Sequence, residues 1–267
     1  MCNLTINELH NRNLDKCYFV IMCFKTKINI MEGDEISKKD IYIFYGCNIL
    51  GVRKFLDICI VNNFTKPSDW YNFLLKLKKR NVETVLYANI PNNKILKDSL
   101  MITFKDIKVF ISCYEPIDTI FKYFNARYDT HVFSIIKNIY LSDNIDGYNS
   151  DVSIFKEEFN NSPFLYDILE KDLTSIKKYY NFDIILRKHI FCFYFYREMR
   201  KKIYTASHAK YYFNTTDELL ESLISHISIM ESRCYCPKKE WLNLINFIYS
   251  SNKDLIKNYL WCILLLA

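Results

Sequence analysis

Chemistry in this chain has to come from scattered acids, five histidines and two basic clusters. None of His10, His131, His189, His208 and His226 stands in a recognisable motif with a Ser or Cys nucleophile. His189 lies in an apolar helical run, where packing is the simpler role. With 4 Gly in 267 residues there is no glycine-rich phosphate loop, which excludes a nucleotide-hydrolysing or dinucleotide enzyme. Cys234-Tyr-Cys236 and the nearby His226 supply one cysteine pair without a second, short of zinc-site spacing. Asp15 precedes an apolar run, and by itself such an acid is a solvated turn residue. Lys76-Leu-Lys-Lys-Arg80 reads as the solvated face of an amphipathic helix. Arg197, Arg200, Lys201 and Lys202 are interleaved with Tyr196 and Tyr204, and that mixture can follow a nucleic-acid backbone by charge and stacking.

The elements that must position these residues show first between Gly51 and Pro91. Lys54-Phe-Leu-Asp-Ile-Cys-Ile-Val61 is rich in β-branched and aromatic residues and predicts a strand. Trp70, Phe73, Leu74 and Leu77 recur at helical spacing, and Val85-Leu-Tyr-Ala-Asn-Ile90 forms a further strand stopped by Pro91. Strand, helix, strand is a crossover unit feeding an α/β sheet. Upstream, Cys17–Phe24 is a buried strand, Glu32-Gly-Asp-Glu35 a hairpin turn and Ile41–Gly46 the returning strand. A helix over Lys94–Ile102 and a short strand over Lys108–Ser112 follow. From Ile117 to about Tyr194 the periodicity turns helical, punctuated by Asp146-Gly147 and Ser162-Pro163; Asp217–Met230 is a last amphipathic helix. Residues 1–14 are polar and predict no element.

At 50% hydrophobic the chain can bury a large core as one domain with an insertion. A net charge of +6 permits an acidic partner without demanding one. The 10 cysteines sit mostly in apolar runs and no secretory leader is visible, which points to reduced thiols in the cytoplasm. Leu260–Ala267 is too short to span a bilayer, so no membrane role is expected.

Two separated stretches carry a family resemblance. The string GVRKFLDICI…DWYNFLLKLKKRNVETVLYANIPNNK resembles the central part of Mutator-type transposases of bacterial insertion sequences, with their G-x-K-E-x-L-G…F-W…L-x-x-L-K-x-R-G-V…V-D-G-x-K-G pattern. Phe195-Tyr-Arg-Glu-Met-Arg-Lys-Lys-Ile-Tyr-Thr205 is similar to the family's Y-P-x-x-I-R-K-x-I-Y-T-T-N. The resemblance covers about Asp15 to Leu260 and implies an RNase H-like α/β fold. Three antiparallel strands are followed by parallel ones, with a large helical insertion. The implied division is a tail over 1–14, the first part of the core over 15–116, the insertion over 117–195 and closing helices over 196–267.

The resemblance also implies chemistry: three carboxylates holding two Mg²⁺ ions that cut and join DNA strands. Asp15 in Asp15-Lys-Cys-Tyr-Phe-Val-Ile matches the family's D-x-x-Y-x-x-V and would be the first carboxylate, vestigial here. The second, in V-D-G-x-K-G, is replaced by Pro91 in Ile90-Pro-Asn-Asn-Lys94. The third falls on Lys210 in an ungapped match, or is deleted if Phe213-Asn-Thr-Thr-Asp-Glu-Leu219 takes the place of the family's F-P-x-x-x-A-L. The family's C-x-x-H is replaced by Ser112 and Glu115, and a glutamate after the third strand by Thr65-Lys66. The family's N-terminal DNA-gripping region has at most fourteen residues here to represent it.

A transposase-derived, catalytically inactive protein is therefore expected, with no cofactor of its own. DNA is its expected partner, held weakly and without sequence preference through Arg197, Arg200, Lys201 and Lys202. The alternatives are a module that pairs with a full-length transposase, as homo- or hetero-oligomer, and a structural or interaction protein. A basic groove favours the DNA-binding module and a large exposed apolar patch the interaction protein.

Overall fold

The computed structural model describes residues 4–61, 66–112, 114, 117–118, 130–160, 167, 176–231 and 238–251. Its centre is one long strand, Cys17–Glu32 (β1), whose first eight residues are all buried. Gly33, at φ +65°, supplies the left-handed position of the two-residue turn that reverses the chain into Glu35–Asn48 (β2). Arg53–Val61 (β3) pairs antiparallel with β2. Thr84–Ile90 (β4) pairs parallel with β1, and Lys108–Ile111 (β5) lies beyond it. The order β3-β2-β1-β4-β5 is the mixed α/β sheet of an RNase H-like fold, as the resemblance implied.

Strands β1 and β2 run well past the apolar stretches that announce them. Beyond Phe24 and before Ile41 the ladder continues with polar residues alternating with buried Ile28 and Ile30, and Lys25 and Lys27 reach across to the Asp40 carboxylate at 3.3 and 3.8 Å. Backbone pairing there does not need an apolar side chain on every residue, so hydropathy alone hides it.

Both faces of the sheet are covered, which is why its strands read as near-continuous apolar runs. On one face Pro67–Lys79 (α2) lays Trp70 against Tyr42 at 4.8 Å between ring centres, and Phe73 against Phe44 at 5.0 Å. Lys94–Thr103 (α3) packs beside α2. On the other face Phe195 meets Phe24 at 5.9 Å and Tyr45 at 5.2 Å, and Trp241 meets Phe19 at 5.4 Å. A register shift between Tyr18 and Val20 marks a bulge in β1. Gly46 leaves room for the Tyr18 ring, since a Cβ there would stand 2.5 Å from it.

An element absent from the sequence reading opens the fold. Ile6–Asn11 (α1) is closed by a reciprocal Thr5–Glu8 capping box and buries only Leu9, too little to leave a periodic signal in a polar stretch. It flanks the edge strand β3. Arg12 donates to the Phe55 carbonyl, the Glu231 carboxylate accepts from Phe55 N–H at 2.6 Å, and Asp57 accepts from Ile58 N–H at 2.9 Å. Asp57 is 2% exposed, and it also takes the Arg80 guanidinium at 2.9 Å and His10 Nδ1 at 2.8 Å. Burial pulls Arg80 below its ordinary value, and the Asp57 charge pulls the other way.

The chain divides into two compact units, residues 1–110 with 194–267, and residues 111–193. The second contains Thr130–Leu141 (α4), Ile145–Glu158 (α5), a 3₁₀ turn at Lys177–Asn181, and Ile184–Phe191 (α6). Asp146-Gly147 is no break: Asn144 caps α5 by accepting from Gly147 N–H, which puts both residues in the first turn. Arg187, 1% exposed, donates to the carbonyls of Tyr140 at 2.9 Å and Ser142 at 2.7 Å, satisfying the open end of α4. Within the helical stretch expected from Ile117 to about Tyr194, residues 119–129, 161–166 (with Ser162-Pro163) and 168–175 lie outside the described residues. Remaining helices of the first unit are Phe193–Ser207 (α7), Thr216–Ile227 (α8) and Lys238–Ser251 (α9). No helix among the described residues is long and apolar enough to cross a membrane.

Two stability outcomes follow from these contacts. Asp57→Ala leaves the Arg80 charge buried and is expected to cost about 3–5 kcal/mol in urea unfolding, with Asp57→Asn milder. A cost below about 1 kcal/mol would mean that the network contributes little beyond a surface ion pair. In the second unit burial pulls His189 down to about 4, with Lys188 adding repulsion. The unfolded chain takes up that proton near pH 6.5 and the folded chain does not, so stability falls as the pH drops from about 6.5 to about 4. His189→Gln should flatten that part of the curve; an unchanged slope in melting temperature against pH would refute it.

Candidate functional site

Metal-dependent strand cleavage needs its carboxylates on both sides of ions about 4 Å apart. Strand pairing decides whether the expected positions meet that demand. Cys17 is level with Thr84 and Met22 with Asn89, so β1 and β4 run in one direction in fixed register. Extending that register by two residues brings Pro91, just past the end of β4, to the level of Phe24. Asp15 precedes the start of β1, whereas Pro91 follows the end of β4. The strand from Cys17 to Phe24 alone spans about 23 Å. This is at odds with Asp15 as the partner of position 91: in a parallel pair, a residue before one strand cannot meet a residue after the other.

Lys210 is displaced again. The segment after α7 comes back beside the far end of β1, where Phe213 N–H donates to Asn29 O at 3.1 Å and Met31 N–H to Phe213 O at 2.8 Å. Asn29 Nδ2 donates to the Tyr211 carbonyl at 3.2 Å, and Lys210 pairs with Glu218. Asp15, Pro91 and Lys210 are thus strung along β1 and do not meet.

What Asp15 does instead is visible in its partners. Asn48 Nδ2 donates to its carboxylate at 3.1 Å, and Lys54 Nζ stands 3.2 Å away, so it ties down both ends of the β2–β3 turn. The same turn holds Gly51 at φ +76°, where a Cβ would meet the Trp241 ring at 3.0 Å, and Trp241 Nε1 donates to Ile49 O at 3.0 Å.

At the other end, where β4 finishes, the donor set is wrong for Mg²⁺. Met22, Phe24 and Ile90 are buried apolar side chains and Pro91 is buried too. Hard oxygen ligands are what the ion requires, and these residues offer none from their side chains. Phe195 and Tyr196 of α7 cover this end of β1 through Phe24. Glu198, one turn along from Phe195, is the acid on that side of the helix, half-buried and 3.3 Å from Lys201 Nζ. Sequence reading passed it over because it sits inside a basic cluster. Among the described residues no three His, Cys, Asp or Glu side chains form a group that could hold a metal ion. Cys113, Glu115, Cys234 and Cys236 lie outside the described residues; Ser112 is buried and accepts from Tyr114 N–H.

The basic cluster is on α7. At about 100° per residue, Arg197, Arg200 and Lys201 share about 100° of arc, and Lys202 lies about 100° beyond Lys201. The first three therefore point one way and Lys202 another. Tyr204 and His208 fall on the arc of the first three and Tyr194 about 20° beside it, positions that the run of cations alone does not bring out. The opposite side, with Phe195, Met199, Ile203 and Ala206, is buried.

If Asp15 is a strut for the turn, Asp15→Ala will lower the melting temperature by a few degrees and leave DNA-directed behaviour unchanged. Any metal-dependent DNA cleavage that disappears in this variant would assign Asp15 a chemical role. A family model, Transposase, Mutator family, matches residues 2–232 of the chain. No curated protein matches it.

Proposed function

The chain belongs to the Mutator family of transposases, and on that premise we propose that it is a transposase-derived protein that neither cuts nor joins DNA. The observation that carries this reading is the donor set where β4 ends. There Met22, Phe24 and Pro91 carry no ligand oxygen in their side chains, and Asn89, level with Met22, carries an amide and not a carboxylate. Glu198 alone, engaged with Lys201, cannot hold two metal ions. No step of phosphodiester chemistry is assigned to the chain's residues.

A second reading is favoured by the arc of cations on α7: a non-catalytic module holding DNA by its backbone, with no sequence preference. Arg197, Arg200 and Lys201 are its phosphate contacts, and Lys202 contributes general positive charge. Should the arc bind no nucleic acid, an interaction module that pairs with a full-length transposase is the reading that remains.

The decisive assay is nicking of supercoiled DNA with Mg²⁺ or Mn²⁺ over a range of protein concentrations. Nicking no faster than metal and DNA alone is expected. Metal-dependent nicking that is lost in Glu198→Gln, in a variant that still folds, would refute the inactive reading. It would mean that acids outside the expected triad have rebuilt a site.

A further inference from the structure

The arc on α7 holds more than cations. Tyr204 is 40% exposed and Tyr194 65% exposed, and His208 is exposed as well. The rings of Tyr204 and His208 stack at 3.9 Å between centres and 21° between planes. That stack is held in place: His208 N–H donates to Tyr204 O at 2.9 Å, continuing the helix by one residue. Its Nδ1 lies 2.9 Å from Ser207 Oγ and 3.1 Å from Tyr204 O, which fixes the imidazole plane. From Tyr194 to His208 the stripe runs about 21 Å along the helix.

We propose that this arc binds single-stranded nucleic acid, its cations tracking the phosphates and the stacked Tyr204–His208 pair receiving an unpaired base. The inference rests on the DNA-binding reading above and narrows it. Cations alone would suit any polyanion, duplex DNA and acidic protein included. A pre-stacked pair of rings adds a flat π surface, which a duplex cannot use because its base faces are already stacked within the helix. Base–aromatic stacking tolerates any sequence, since every base offers a π-face, and it operates together with phosphate contacts. Because the two rings are already ordered in the protein, little further side-chain freedom is lost when a base is added.

The test is fluorescence anisotropy of the full chain with an oligothymidylate, an oligouridylate and a duplex of the same length, titrated across salt. The single strand is expected to bind more tightly than the duplex. Tyr204→Ala should weaken the single strand by at least about fivefold and leave the duplex unchanged, whereas Tyr204→Phe keeps the ring and the affinity. Arg200→Ala combined with Lys201→Ala should weaken both and flatten the salt dependence. Tighter binding of either the oligothymidylate or the oligouridylate supports the inference and identifies which strand is preferred. Equal binding of duplex and single strand, with no effect of Tyr204→Ala, would overturn the inference and leave the backbone-binding reading standing. If none of the three probes binds, both fall. Unchanged melting temperatures in the variants keep each outcome separate from misfolding.

Discussion

The parallel pairing of β1 with β4 is the constraint on which the rest depends. A parallel pair has one direction and one register, so it decides at once which residues can face a common ligand. Here it sets Met22 level with Asn89 and brings the C-terminal halves of both strands to one end of the sheet. In open α/β sheets that end is where ligands sit. Everything else is placed relative to it: α7 covers it through Phe24, the β2–β3 turn lies at the opposite end, and the segment around Phe213 extends the far tip of β1.

Much of this architecture is readable without coordinates, for identifiable reasons. The strands at Cys17–Phe24, Lys54–Val61 and Val85–Ile90 are largely buried, so apolar residues dominate them, with Asp57 and Asn89 as buried polar exceptions. The outer halves of β1 and β2 are not readable from apolar runs, because there buried Ile28 and Ile30 alternate with charged residues that pair across the ladder. Helix α1 is invisible because a single buried leucine is no pattern. That position 91 supplies no carboxylate is plain, since the proline side chain has no oxygen. Asp15 is a different case. It precedes its strand while Pro91 follows a parallel one, and local similarity to a motif does not test direction. On α7 the cluster of cations was legible, but its division needed helical geometry, which removes Lys202 from the arc and adds His208, with Tyr194 beside it.

The buried Asp57 is the second organising feature. An isolated carboxylate in that position would be costly, and it is sustained by converging donors from α1, the end of α2 and the backbone of β3 itself. Secondary elements distant in sequence are thereby fastened to one strand.

That fastening has a consequence for how the chain can meet other chains. Along β3, Arg12 and Glu231 occupy the carbonyl and amide of Phe55, and Asp57 occupies the amide of Ile58. A bare sheet margin is a template onto which a foreign strand can be added, with aggregation as the uncontrolled form of the same event. Part of this margin, at Phe55 and Ile58, is already taken by the protein's own side chains. Sheet extension along this stretch would have to displace those contacts first.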